Sequence, residues 1–277
     1  MGITMVTLFM LKERIESVST KIFDRNLSEQ KFPLGSEARK SKSNMLGERI
    51  FKLIISLFCI SSLYKIMLQE DCDFLDVRVG GRISRPLYYN NYPCQQIPAY
   101  LDGFYVFKLT YHLYELGFTI LKHRSRSDFP EYVLHHLMTW SLIFFSYSLN
   151  MLPIGAAVMI LHDLTDFAVT MFKITIDITP FIVQVSFYIV MIVSWVYLRL
   201  WYFPVHVIYR MQEECYDKPC LNMQYSALNM LYAFMSGLFC LHIFWFYLMI
   251  AGFVRRYFNG KGLMHGIVMA GNENRAT

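Results

Sequence analysis

Six apolar runs dominate this chain, at about residues 50–68, 100–121, 132–150, 153–172, 180–203 and 229–254. Each is close to the ~20 residues that a helix needs to cross a bilayer. The expected architecture is therefore an all-α polytopic membrane protein with six transmembrane helices. Composition agrees: 55% of the 277 residues are hydrophobic, 17% aromatic and only 17% charged, where soluble domains carry about 25% charge. The net charge of +5 is spread along the chain, and no basic tract interleaved with aromatics appears. Nucleic acid is not an expected partner. The second run is the most interrupted, by Asp102, Lys108, His112 and Glu115. Such residues call for a face turned toward protein rather than lipid.

The domain plan follows from the charge pattern. Residues 1–45 form a polar, partly amphipathic arm expected to lie on one membrane face. Residues 46–258 form the six-span domain, and 259–277 a polar tail. The first 49 residues mix nine Lys/Arg with six Asp/Glu. The arm lacks the basic start and small-residue cleavage site of a secretory signal. Val6 stands where a myristoylation signal wants Ser or Thr. With six spans both termini share a side. That side holds 17 Lys/Arg, against five in the opposite loops. Positive charge favours the cytoplasmic or matrix face, so both termini are expected there.

Cysteines point the same way. Cys59 and Cys240 fall within spans, as packing residues. Cys72, Cys94, Cys215 and Cys220 all fall in the two long loops opposite the basic side. Disulfides persist in oxidising compartments, so these four are bridge candidates, as Cys72–Cys94 with Cys215–Cys220 or in crossed pairings. Zinc ligation and unpaired thiols are the alternatives.

Two clusters carry the chemistry: His135–His136 in the third span, and His162-Asp163-Leu164-Thr165-Asp166 in the fourth. Ionisable groups at bilayer depth lose water and regain little unless they pair or react, and so mark functional sites. Helical residues three and four apart share a face, which aligns His162 with Asp166, and His135 with Thr139. Spans three and four are joined by a few residues and must be antiparallel neighbours. A metal is the natural rival for such a cluster, but no repeated His-x-x-His-His box is present, and no metal is expected. Single histidines on apolar helices more often pack than react, which is the reading for His112, His206 and His242.

The run from Asp128-Phe129 through His135-His136, Thr139, Asn150, Gly155, His162-Asp163 and Asp166 to Lys173 resembles the TLC-domain signature, and within it that of the ceramide synthases. Arg199-Leu-Trp-Tyr-Phe-Pro204, Tyr92-Pro93 and His242-x-x-Trp245 are similar to further family segments. Pro153 stands where the family usually has Arg, and Val169-Thr170 replaces its Leu-Glu pair. The resemblance implies six helices around a lipid-accessible cavity. It also implies N-acylation of a long-chain sphingoid base by acyl-coenzyme A. On that reading His135, His136, His162, Asp163 and Asp166 are catalytic, with Asp163 and Asp166 orienting imidazoles. Thr139, Asn150, Lys173 and Arg199 contact substrate. Asn150 as a helix cap, Lys173 as a snorkelling side chain and Arg199 as a structural ion pair are the plainer alternatives. Acyl-coenzyme A is a co-substrate, membrane lipids are the other partners, and no cofactor is expected. The endoplasmic reticulum is the implied compartment. The rival is a non-catalytic lipid-binding or structural subunit of a larger membrane complex, including one of the mitochondrial inner membrane.

Overall fold

The computed structural model describes residues 2–69, 74–86, 88, 97–122, 124, 129–176, 178–215 and 225–258. Among them no strand occurs; one isolated bridge joins Asp76 and Ile83. The chain is built from α1 (Gly2–Asn26), α2 (Glu37–Met67), α3 (Leu101–Lys122), α4 (Phe129–Ser148), α5 (Leu152–Thr175), α6 (Phe181–Ser194), a π-helical segment Trp195–Ile208, α7 (Tyr209–Cys215) and α8 (Tyr225–Phe258). A short 3₁₀ turn, Val77–Val79, sits in the loop after α2. The bridge candidates Cys72, Cys94 and Cys220 lie outside the described residues, as does the Cys215 side chain.

The helix boundaries have local causes. Ser36 caps α2, its hydroxyl accepting from the Arg39 N–H at 3.2 Å, which satisfies one of the orphan donors of a helix start. The turn from α4 to α5 is three residues long. Asn150 adopts φ 55°, and the Met151 N–H reaches the Ser146 carbonyl at 2.7 Å while the Asn150 N–H reaches Tyr147 at 3.1 Å. This pair of bonds around one left-handed residue is the Schellman closure, which suits Asn as well as Gly. Pro153 then falls in the first turn of α5, where a missing N–H leaves nothing unsatisfied.

All six apolar runs are helical, and among the described residues four helices are long and apolar enough to cross a membrane by length and composition: Glu37–Met67, Leu152–Thr175, the continuous rod Phe181–Glu213 and Ala227–Val254. The helices α3 and α4, of 22 and 20 residues, fall short. Lys108 and Glu115 are buried in α3, and His136 in α4. Polar side chains facing protein lower a helix's hydropathy without touching lipid.

α5 is the central rod. Two thirds of its apolar stretch is buried inside the protein, against 17–33% for the other three spans. It packs against α2, α4, α6 and the π-helical segment; α3 lies on α4, and α8 on α4 and the π segment. A central helix with neighbours on every side can carry polar groups on one stripe, because each can reach a partner.

Candidate functional site

A cavity of about 60 Å³ opens between α3, α4, α5, α7 and α8. Its wall follows helical periodicity. α4 contributes His135, Thr139, Ile143 and Ser146, and α5 with its cap residue Met151 contributes Gly155, Met159, His162 and Asp166, each set one stripe of a helix. The two helices run antiparallel across a tight turn, so His135 near the start of α4 meets the Asp166 level of α5. The result is polarised. Imidazoles and carboxylates gather at one end, and Met151, Met211, Leu231 and Met235 line the rest.

At the polar end, two acids are held by cations from other helices. Asp163 Oδ1 accepts from Lys108 Nζ of α3 at 2.7 Å, both side chains buried. Asp166 pairs with Arg199 of the π-helical segment. Arg199 also donates to the His162 carbonyl at 3.3 Å and stacks its guanidinium 4.4 Å from the Trp195 ring centre. The expectation that Asp163 and Asp166 orient imidazoles is therefore not what the geometry shows: both carboxylates bind cations.

His162 is oriented by other means. Its Nδ1 lies 2.8 Å from the Val158 carbonyl and its Nε2 lies 3.1 Å from Nε2 of His242 on α8. A carbonyl only accepts, so Nδ1 carries the proton and Nε2 is left as an acceptor; His242 then donates through its Nε2–H. The α8 backbone is tied in turn, the His242 carbonyl accepting from Trp195 Nε1 at 3.2 Å. His135 is placed differently. Its ring meets Trp245 of α8 edge-on at 5.0 Å. His136 lies edge-on to Tyr132 at 4.6 Å and is not among the residues that line the cavity.

Four side chains of this wall hold buried polar atoms without a hydrogen-bond partner among the described residues: His112 Nδ1, His135 Nδ1, Thr139 Oγ1 and Asp163 Oδ2. Each such atom costs ~1–3 kcal/mol of desolvation. Other buried polar atoms among the described residues share this state, Ser43 Oγ, Trp140 Nε1 and Tyr188 OH among them; these four are distinguished by belonging to side chains that line one hollow.

The structure sorts the sequence-derived residues. His135, Thr139, His162, Asp163 and Asp166 face the cavity. Asn150 closes the α4–α5 turn, Arg199 is engaged by Asp166, and Lys173 is half-buried with its carbonyl accepting from Arg49. Three residues were not foreseen at the site: Lys108, His112 and His242. The signal for His242 was present, since Leu231, Met235, Leu238, His242 and Trp245 share one stripe of α8. Among the described residues, no three His, Cys, Asp or Glu side chains are grouped as metal ligands.

Comparison with known proteins adds the last observation. A family model described as the TLC domain matches residues 46–251. The chain is 30% identical to ceramide synthase LOH2 of Arabidopsis thaliana over 205 residues, covering 71% of this chain and 69% of the plant protein. It is 32% identical to ceramide synthase 4 of Bos taurus, covering 61% and 42%, and 29% identical to ceramide synthase 4 of Homo sapiens, covering 57% and 39%. The chain thus spans about two fifths of these animal relatives.

Proposed function

This chain belongs to the TLC-domain family, and from that premise we propose that it is a ceramide-synthase-like N-acyltransferase of six membrane spans. It would move a fatty acyl group from acyl-coenzyme A to the amine of a long-chain sphingoid base. The observation that carries the proposal is the polarised cavity: four unpartnered polar atoms at one end and an apolar slot beyond them. α3 and α4 complete the six spans, their polar stripes turned inward onto this hollow.

The acyl chain lies along the Met- and Leu-lined part, which places the thioester carbonyl among His135, Thr139 and Asp163. Asp163 Oδ2 accepts from the incoming amine. His135 Nδ1 takes the proton as the amine nitrogen attacks the carbonyl carbon. The new C–N bond forms, the C–S bond breaks, and the proton passes to the departing thiolate. A positioned imidazole of this kind contributes typically ~10²–10⁴-fold. Thr139 Oγ1, one turn from His135, donates to the carbonyl oxygen as charge develops on it. The His162–His242 pair and the two ion pairs keep the wall rigid.

The rival reading, a non-catalytic lipid-binding subunit, draws on the same ion pairs, which engage both carboxylates with cations. Purified protein given acyl-coenzyme A and a long-chain base separates the two. Ceramide formation that disappears in His135→Ala supports the enzyme. Tight acyl binding with no product at any chain length supports the subunit.

A further inference from the structure

The arm helix α1 does not stand apart from the spans; it packs lengthwise against α2. Its register is constant. Arg39 of α2 donates to the Asp24 carbonyl at 2.8 Å, and the Thr20 hydroxyl reaches the Ser43 carbonyl at 3.5 Å. At Gly47 an added Cβ would lie 3.0 Å from the Glu16 carbonyl oxygen. Lys12 Nζ lies 5.7 Å from the Phe51 ring centre. The pairs 24/39, 20/43, 16/47 and 12/51 describe antiparallel helices, and continuing them sets residues 5–10 of α1 beside 53–58 of α2. Leu8 and Ile55 accordingly share one core.

Charge marks a boundary across these helices at one level. Lys12 is buried over the Phe118 ring of α3, 3.1 Å from its centre, with Glu16 3.7 Å away. Lys52 contacts Glu48 at 3.2 Å and Glu115 of α3 at 3.5 Å. Beyond this belt α1 carries no charged side chain from residue 11 back to its start, and α2 carries none from 53 to 64. Yet α1 exposes Met5, Val6, Phe9, Met10 and Leu11 there, at 36–59%. At the same level α2 exposes Ile54, Leu57 and Phe58, on a helix long and apolar enough to cross a membrane.

We propose that the N-terminal three turns of α1 are immersed in the hydrocarbon of the bilayer, packed along α2 with their outer face on lipid acyl chains. The charged belt at Lys12, Glu48, Lys52 and Glu115 sits at the membrane–water boundary. Ten residues beyond Lys12 reach ~15 Å, about half of a ~30 Å hydrocarbon core. The occupant of this face is lipid because Met5, Val6 and Phe9 continue, residue for residue, the exposed surface of Phe58, Leu57 and Ile54. An arm lying flat on the surface would instead turn these residues toward headgroups and leave the belt charges off the boundary.

The test is a depth measurement on the full chain in phosphatidylcholine vesicles, independent of the acyl-transfer reading. Nitroxide labels are placed on Val6→Cys, Phe9→Cys and Met10→Cys, and on the exposed controls Ser17→Cys and Lys21→Cys. The signal of the parent chain, with its native cysteines, is subtracted. Collision with oxygen, which concentrates in hydrocarbon, is compared with collision with a water-soluble nickel chelate. The oxygen-to-nickel ratio is expected to be at least ten-fold higher at 6, 9 and 10 than at 17 and 21. Equal ratios at the two sets would overturn the proposal, placing α1 in water. Loss of access to both reagents at 6, 9 and 10 would overturn it too, since a protein surface would then cover this face.

Discussion

Replacing Lys108 by methionine removes one half of a buried ion pair and strands the other. The Lys108 and Asp163 side chains are 2% and 11% exposed, with Nζ and Oδ1 2.7 Å apart, and Asp163 Oδ2 already lacks a partner. Stranding a buried charge in this way costs about 3–5 kcal/mol. At roughly 2–4 °C per kcal/mol for a chain of this size, the midpoint of thermal unfolding in detergent should fall on the order of 10 °C. The double variant Lys108→Met with Asp163→Leu fills the same space with apolar groups. Such a replacement is often neutral or stabilising by ~1–4 kcal/mol, so the midpoint should return to near the parent value. Ceramide formation should not return with it, because the carboxylate proposed to accept from the amine is gone. The assay is fluorescence-detected unfolding beside product analysis of the same three preparations. A fall of less than ~2 °C for Lys108→Met would refute the buried-pair reasoning. Restored turnover in the double variant would refute the role of Asp163.

Other substitutions probe other contacts. Gly155→Ala drives a methyl to 2.0 Å from the Tyr105 hydroxyl and 2.6 Å from Ser146 Oγ; overpacking of this kind costs about 1–3 kcal/mol, read as a lower unfolding midpoint. His135→Ala should lower turnover by at least ~10²-fold with little change in that midpoint, since its Nδ1 makes no hydrogen bond; an equal loss in both would make His135 a packing residue. Arg199→Lys should lower the midpoint although charge is kept, because a lysine cannot reproduce the stacked, forked guanidinium on Trp195 and Asp166. Pro153→Ala should change stability by less than about 1 kcal/mol, read as a near-parent midpoint, since no first-turn N–H bond depends on this position.

Much of this arrangement could be read from residue order, and the unread part has a common cause. Helix positions were legible because apolar runs of span length are one-dimensional signals, and the stripes 135/139 and 162/166 because helical spacing places them. The inward face of α3 announced itself through Lys108, His112 and Glu115, though not what they meet. The Lys108–Asp163 pair joins residues 55 positions apart, and His162–His242 joins residues 80 apart. Spacing carries no information across such gaps; they are set by which helices become neighbours. The same limit hid the partner of α1, whose charged half suggested a surface helix while its first ten residues match the apolar part of α2. Asn150 and Pro153 show the opposite case: both carry roles in the turn and helix start that local chemistry alone explains.

The most direct test of the central claim is to locate an acyl chain. A purified chain is given acyl-coenzyme A carrying a photoactivatable group at the acyl terminus, irradiated, digested and sequenced by mass spectrometry. Adducts are expected on Met151, Met211, Leu231 or Met235, displaced by excess unmodified acyl-coenzyme A. Adducts confined to outward-facing residues such as Ile189 and Val193, without displacement, would contradict the claim.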